Sequence, residues 1–247
     1  MLARVLCVLA CVLISSISRA ADEAGEQGCL RLGADESLGA SYAVFDEFFT
    51  TLYEEAGLCA KSIAMAPKRI EQLLVRGELD GDWFRPSDYA AEFSDQLIAL
   101  PQPIFGLEAR LIWLGDTGFS GHPGDLKGLT VGHQAGFRWL EAHLPQMGAK
   151  TFAVSSSTNV WDLLERKRID VFATSGIHEA ALLASPRAQG TDVKRALWTT
   201  VSFYHLLHPK HADKTARLNA ALVEMIRTHH AATDLNIPGI QRPKIVN

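Results

Sequence analysis

The sequence predicts an α/β protein with two lobes, parallel-rich sheets, flanking helices and a hinge. Short apolar runs alternate with segments of helical periodicity, which is typical of parallel strands joined by helices. In addition, RIEQLLVRGELDGDWFR at 69–85 matches VWDLLERKRIDVFATSG at 160–176, and the match pairs Leu73 with Leu163 at an offset of 90 positions. Two helix–strand units of an α/β protein can match this closely by chance, so the repeat favours two related lobes without requiring them.

The chain opens with a predicted secretory signal peptide. Arg4 precedes an apolar run from Val5 to Ile17, and Ser18-Arg19-Ala20 offers a small-x-small cleavage site. The alternative is an uncleaved anchor, but the run is shorter than the roughly 18–20 apolar residues that span a bilayer. We therefore expect cleavage after Ala20, a periplasmic location and a soluble, monomeric mature protein.

Composition argues against several kinds of partner. The chain has 24 basic and 28 acidic residues, and residues 1–20 contain two Arg and no acid, which leaves a mature charge of −6. No basic tract indicates binding to nucleic acid or to an anionic membrane. The nine histidines lack metal-site spacing, so we expect no metal and no cofactor.

Two cysteines remain in the mature chain. Cys29 and Cys59 each stand just before an apolar run, CLRLGAD and CAKSIAMA, that is typical of a parallel strand. If these strands are neighbours, the two thiols lie level at one sheet edge, and export would bring them into an oxidising compartment. We predict a Cys29–Cys59 disulfide; the alternative is two buried free thiols.

The remaining elements follow in order along the chain. Besides the repeated units, the predicted strands are 30–34, 62–66, 97–100, 109–114, 129–133, 151–154 and 201–207. The predicted helices are 38–56, one beginning at Pro67, 86–96, 137–144, 178–183 and 212–230. The aromatic residues of the first helix recur at helical spacing, which favours core packing. Segment 115–128, with five glycines in fourteen residues, is predicted to be a linker.

Several candidate ligand contacts follow the predicted strands. Arg85 and Ser175 each come five residues after the Asp of a repeat, at the carboxyl end of a strand, where open α/β sheets bind ligands. Gly136 and Phe137 join a strand to a helix, so their backbone N–H groups could bind an anion; the alternative is an ordinary turn. Trp83 is a candidate for stacking on a ligand or for the core, and Ser157 for a helix cap or a cleft hydroxyl.

The ordered motifs of the mature chain resemble bacterial extracellular solute-binding proteins of family 3, the amino-acid-binding type that serves ABC transporters. The segments that carry the resemblance are CLRLGAD, RIEQLLVRGELDG, DLKGLTVGHQAG, LLERKRIDVFATSG and YHLLHPKHADKTARLNAALVEMI. The resemblance implies a periplasmic-binding-protein-like fold of type II, with lobe one at 22–114 plus 200–247 and lobe two at 115–199. It also implies a ligand cleft between the lobes and hinge crossings near Leu114 and Trp198–Ser202.

The chain departs from this family at two contacts. Family members place an Arg for the ligand's α-carboxylate in a T-x-x-R arrangement, whereas WFRPSDYAAEFSDQ has only the earlier Arg85. Where the family has an Asp for the α-amino group, this chain has Ser175. We therefore expect a small polar or anionic ligand, although Asp35, Glu36 or Asp82 could supply the missing negative charge from another direction.

Three functions are compatible with these features. The first is a periplasmic receptor that closes on a small-molecule ligand and delivers it to an ABC permease. The second is a sensory binding module with a membrane partner, and the third is an exported dehydratase-like enzyme on the same scaffold. No GxSxG, SxxK or HExxH motif is present, so we do not expect an enzyme.

Overall fold

The computed structural model describes residues 28–39, 41–115, 117–154, 159–228 and 236–246. The predicted signal peptide and Ser157 lie outside the described residues. The first half contains β1 (Leu30–Asp35), α1 (Ser41–Glu55), β2 (Ala60–Met65), α2 (Pro67–Val75), β3 (Gly81–Pro86), α3 (Ser87–Glu92), β4 (Ile98–Ala99) and β5 (Phe105–Leu114). The second half contains β6 (Thr130–Gln134), α4 (Arg138–Gln146), β7 (Lys150–Val154), α5 (Val160–Glu165), β8 (Val171–Ser175), α6 (Gly176–Leu183), β9 (Val193–Leu207), α7 (Thr215–Arg227) and β10 (Ile240–Gln241).

The described strands form one continuous sheet in the order β2-β1-β3-β9-β5-β8-β6-β7, with β4 on β9 and β10 on β5. Pairing is parallel between β1 and its neighbours β2 and β3, and between β6 and its neighbours β7 and β8. These two parallel groups confirm the predicted parallel-rich α/β class. Every pair that involves β5 or β9 is antiparallel.

Strands β5 and β9 join the two parallel groups and are longer than predicted. The predicted starts at Ala109 and Val201 were wrong, because the strands begin at Phe105 and Val193. None of residues 193–200 is buried, so this part of β9 lacks the apolar run that marks a buried strand. A β-bulge at Trp198 lies opposite the step from Ala109 to Arg110, within the stretch predicted to be the second hinge crossing.

The amino-terminal strands carry the predicted disulfide. Leu30 of β1 is level with Ala60 of β2 in the parallel register, and the preceding residues Cys29 and Cys59 are bonded, with their Cα atoms 4.5 Å apart. The prediction of a disulfide is therefore confirmed. The aromatic face of α1 is also in the core, as predicted; its buried residues are Phe45, Phe48, Phe49, Leu52 and Tyr53.

Residues 117–128, within the segment predicted to be a linker, contribute two side chains to the core. Phe119 is 7% exposed and meets Trp113 edge-on, with ring centroids 5.0 Å apart, and Leu126 is fully buried. Gly121 lies against the Trp113 ring with φ at 91°, a conformation that glycine adopts without strain. Two apolar anchors therefore hold a glycine-rich loop in place.

The carboxyl-terminal segment packs against the middle of the sheet. The Glu108 N–H donates to the Gly239 carbonyl at 2.9 Å, and β10 pairs with β5. Gly239 also touches Gly176 at the start of α6, where a Cβ on Gly176 would come within 2.5 Å of the Gly239 Cα. Only two glycines allow these backbones to approach so closely.

His205 of β9 is a fully buried polar residue between α1 and β3. Its Nε2 is 2.8 Å from the Tyr53 hydroxyl, and its Nδ1 is 3.2 Å from the Trp83 carbonyl oxygen. Burial lowers the pKa of His205 to about 4, so the ring is neutral at pH 7.

We predict that stability falls as the pH decreases from 6.5 towards 4. The unfolded chain takes up a proton on this imidazole near pH 6.5, whereas the folded protein does so only near pH 4. The shift corresponds to about 3 kcal/mol at most. Urea unfolding at pH 7 and pH 4.5 measures the loss, and it should be smaller in His205→Gln, which keeps a polar side chain but does not titrate. An equal loss in both proteins would rule out His205 as its source.

Candidate ligand-binding cleft

A cleft of about 490 Å³ lies where β1, β3, β6 and β8 end. These are carboxyl ends of parallel strands, where helices begin and side chains point into open space. The apolar residues that line it are Leu38, Phe45, Pro67, Ile70, Trp83, Phe84, Pro86, Phe105, Leu107, Ala135, Phe137, Ile177, Ala181 and Phe203. The remaining lining residues are Asp35, Ser37, Asp82, Arg85, Gln134, Gly136, Arg138, Ser175 and His178.

Arg85 faces the cleft but already has an anionic partner. Its Nε is 2.5 Å from Asp82 Oδ2, its Nη2 donates to the Pro67 carbonyl at 3.0 Å, and the guanidinium lies 5.2 Å from the Tyr89 ring centroid. The two side chains are only 12% and 4% exposed. Burial raises the pKa of Asp82, and the Arg85 charge opposes that shift. An anionic ligand at Arg85 would meet a guanidinium whose charge Asp82 already neutralises.

A β-bulge in β3 creates this ion pair. Asp82 is level with Leu206 of β9, whereas Arg85 is level with Tyr204, so β3 has one residue more than β9 over this stretch. In a regular strand, side chains three positions apart point to opposite faces. The extra residue changes that alternation and allows Asp82 and Arg85 to meet on one side.

Asp35 ends β1 and retains a free carboxylate oxygen. Its Oδ1 accepts from the Ser37 N–H at 2.8 Å and from the Ser37 hydroxyl at 2.7 Å. Among the residues that the structure describes, Oδ2 has no hydrogen-bond donor and no basic side chain lies within ion-pair distance. This carboxylate can therefore accept a hydrogen bond from a ligand.

The turn at Gly136 and Phe137 lines the cleft but has no free N–H group for an anion. The Ala135 N–H donates to Val154, the Gly136 N–H to Glu141 Oε1 at 2.9 Å, and the Phe137 N–H to Gln134. The carboxylate of Glu141 occupies the position that an anionic ligand would need. This arrangement corresponds to the ordinary turn that was the alternative prediction.

Ser175 takes part in a hydrogen-bonded group on the second side of the cleft. It caps α6 through the His178 N–H at 3.3 Å, and its hydroxyl donates to Gln134 Oε1 at 3.4 Å. Thr174 Oγ1 lies 3.1 Å from the same oxygen and 2.9 Å from His178 Nδ1. Burial lowers the pKa of His178, which favours the neutral ring. Gln134 Nε2 and His178 Nε2 have no hydrogen-bond partner among the described residues and are left for a ligand.

Although Trp83 is among the residues that line the cleft, its side chain is almost entirely buried in the core. It is 1% exposed, stacks on Phe49 with ring centroids 5.3 Å apart, and donates from Nε1 to the Ser62 hydroxyl. The next residue, Phe84, is half-buried and contacts Phe45, Phe105 and Phe203 at centroid distances of 4.8–6.0 Å. Phe84 is therefore the aromatic side chain that β3 presents to the cleft.

Arg138 connects the two sides across the mouth of the cleft. It stands at the start of α4, and its guanidinium meets Glu71 of α2 at 2.7 Å and Glu92 of α3 at 3.2 Å. It also lies 5.1 Å from the Tyr89 ring centroid, and nearby His143 Nε2 is 3.4 Å from Asp88 Oδ2. These contacts all link the second parallel group to the first.

Sequence reasoning missed Phe84, His178 and Arg138. Alternation along β3 could have separated Phe84 from Trp83, and the helix cap at Ser175 could have directed attention to His178. Arg138 had no local signal, because its carboxylate partners are 46 or more positions away. The described residues contain no group of His, Cys, Asp and Glu that could hold a metal ion.

Comparison with solved structures identifies the fold. The chain is similar to a histidine kinase sensor domain with similarity to periplasmic binding proteins, with a TM-score of 0.67 and 13% identity, covering 87% of this chain and 98% of that chain. It is also similar to the substrate-binding protein of an amino acid ABC transporter, with a TM-score of 0.60 and 14% identity over 84% and 97% of the two chains. The GluR0 ligand-binding core from Nostoc punctiforme, in complex with L-glutamate, gives 0.62 and 14% over 83% and 96%. No protein-family model and no curated protein sequence matches the chain.

These likenesses confirm the predicted periplasmic-binding-protein-like fold with two lobes of type II. Identities this low show the fold alone. The division into lobe one at 22–114 plus 200–247 and lobe two at 115–199 stays a prediction. Strand β8, which this division assigns to lobe two, pairs with residues Ala109 to Ile112 of β5, which it assigns to lobe one.

We predict that Asp82 and Arg85 stabilise the fold as a pair. Asp82→Leu leaves a largely buried guanidinium without its counter-charge, and Arg85→Met leaves a buried carboxylate, so each should cost about 3–5 kcal/mol. The double variant should lose much less than the sum. Urea unfolding of the four proteins gives the coupling energy. Additive losses would mean that the two charges act independently.

We predict that Arg138→Met opens the cleft. The substitution keeps a long unbranched side chain but removes two ion pairs worth up to about 1 kcal/mol each. Small-angle scattering should then show a larger radius of gyration at low salt. High salt should expand the unsubstituted protein similarly. The matched control is Arg187→Met, because Arg187 bridges Asp162 and Glu165 within one lobe at 2.7 and 2.8 Å. Equal scattering from Arg138→Met and Arg187→Met would mean that the ion pairs of Arg138 do not hold the cleft closed.

Proposed function

We propose that this protein is an exported solute-binding protein of the family 3 type, which captures a small polar ligand between its two lobes and closes by hinge motion. The observation that carries the proposal is the 490 Å³ cleft at the carboxyl ends of four strands, bridged at its mouth by Arg138. The volume falls within the roughly 300–1,000 Å³ of small-molecule sites. The disulfide and the periplasmic-binding-protein-like neighbours fit an extracellular protein.

We place delivery to an ABC permease first and sensing second. The substrate-binding protein among the similar structures supports the first, and the histidine kinase sensor domain supports the second. Both functions use ligand-dependent closure and differ in the membrane partner. Crosslinking of the ligand-loaded protein in native membranes, followed by identification of the partner as a permease or a kinase, separates them.

We predict that a ligand found by a thermal-shift screen of amines, carboxylates, amino acids, sugars and phosphate esters stabilises the protein. At about a hundred times its dissociation constant, a ligand adds about 2.7 kcal/mol, or roughly 5–10 °C for a chain of this size. Scattering should show closure, and the ligand should be recovered unchanged after incubation. No shift with any class would count against ligand binding, and conversion of the ligand would indicate the dehydratase-like alternative.

A further inference from the structure

The acidic side chains in and around the cleft outnumber the basic ones. Two guanidiniums, Arg85 and Arg138, face it, and both already contact carboxylates: Asp82 for the first, Glu71 and Glu92 for the second. Asp35 adds a fourth carboxylate, so four acidic side chains surround two basic ones. A ligand carboxylate or phosphate would meet guanidiniums whose charge is already neutralised by carboxylates, in a negative field.

Among the described residues, Asp35 is the lining carboxylate that makes no ion pair, and its charge acts on Arg85 only through space. Its Oδ1 is held by Ser37, which fixes the carboxylate and leaves Oδ2 for a ligand. A protonated amino group at Oδ2 would form a charge-assisted hydrogen bond without displacing any contact of the protein. Asp35 Oδ2 therefore favours a cationic group of the ligand. The sequence-based expectation of an anionic ligand rested instead on the guanidinium of Arg85.

The accessible apolar surface lies in the same cleft. Phe84, Leu38 and Ile177 are half-buried and line it, and Phe84 is backed by the stacked pair Phe105 and Phe203, whose centroids are 5.2 Å apart. An aromatic face binds both apolar groups and cations. On the other side, Gln134 and the neutral ring of His178 add hydrogen-bonding capacity without positive charge.

We infer that the ligand is an organic amine without a carboxylate or phosphate, whose ammonium pairs with Asp35 and whose apolar body packs against Phe84. The inference rests on the proposed function and specifies its ligand class. It differs from an α-amino acid, because carboxylates of the protein already neutralise both guanidiniums that an α-carboxylate would need.

Three probes with the same phenyl body and different head charges test this directly: 2-phenylethylamine, 3-phenylpropanoate and phenylalanine. Hexylamine, hexanoate and 2-aminohexanoate form the matching aliphatic series. Calorimetric titration should give binding of at least one amine, with an affinity at least tenfold higher than that of the anion or zwitterion of the same series. Binding of an anion or zwitterion as tight as that of its amine would overturn the inference.

The matching variant is Asp35→Asn, which keeps an oxygen for Ser37 but removes the charge. It should weaken amine binding at least tenfold, whereas Asp95→Asn, the same change at an exposed site outside the cleft, should not. Thermal unfolding without ligand checks that both variants fold. Unchanged amine affinity in a folded Asp35→Asn protein overturns the inference. If neither amine binds while another solute class does, the inference is wrong and the proposed function stands; if no solute binds, both fail.

Discussion

The antiparallel pairing of β5 with β9 is the contact on which the arrangement of both lobes depends. It runs from Phe105 opposite Phe203 to Leu114 opposite Val193. At one end β3 and β4 add to β9, and at the other end β8 adds to β5. Each parallel group is thus attached to one strand of the β5–β9 pair. A bulge at Trp198 interrupts the regular ladder where the two attachments meet, which concentrates local twist at that point.

The same geometry explains why the cleft is rich in charged side chains that already have partners. Carboxyl ends of parallel strands gather polar residues at one edge, and the cleft walls partly remove them from water. Burying an unpaired charge is costly, so Asp82 and Arg85 neutralise each other on one side of the cleft. The exposed contacts of Arg138 bridge the two sides of the cleft, where ion pairs are weak and sensitive to salt. The buried Asp82–Arg85 pair thus lies on one side of the cleft, whereas the more exposed ion pairs of Arg138 bridge it.

Local pattern predicted much of the fold and less of the site. The apolar runs after Cys29 and Cys59 predicted neighbouring strands and their disulfide, and the repeat around Leu73 and Leu163 predicted helix, turn and strand in each lobe. The outer half of β9 was missed because Lys194 and Arg195 stand in an exposed strand, which has no buried face to impose alternation. The site depends on a bulge in β3 and on partners that are distant in sequence. Neither feature produces a periodic pattern in the local sequence. Arg85 lines the cleft, and its role as a ligand contact stays a prediction; its pairing with Asp82 required the bulge.

The contact between Gly176 and Gly239 limits which residues the chain tolerates at two distant positions. It joins the helix that carries His178 to the segment bonded to Glu108 of β5, next to the bulge. A Cβ at Gly176 would come within 2.5 Å of the Gly239 Cα, and a Cβ at Gly239 within 2.4 Å of the Gly176 Cα. A side chain at either position would therefore push the carboxyl-terminal segment away from the helix that lines the cleft.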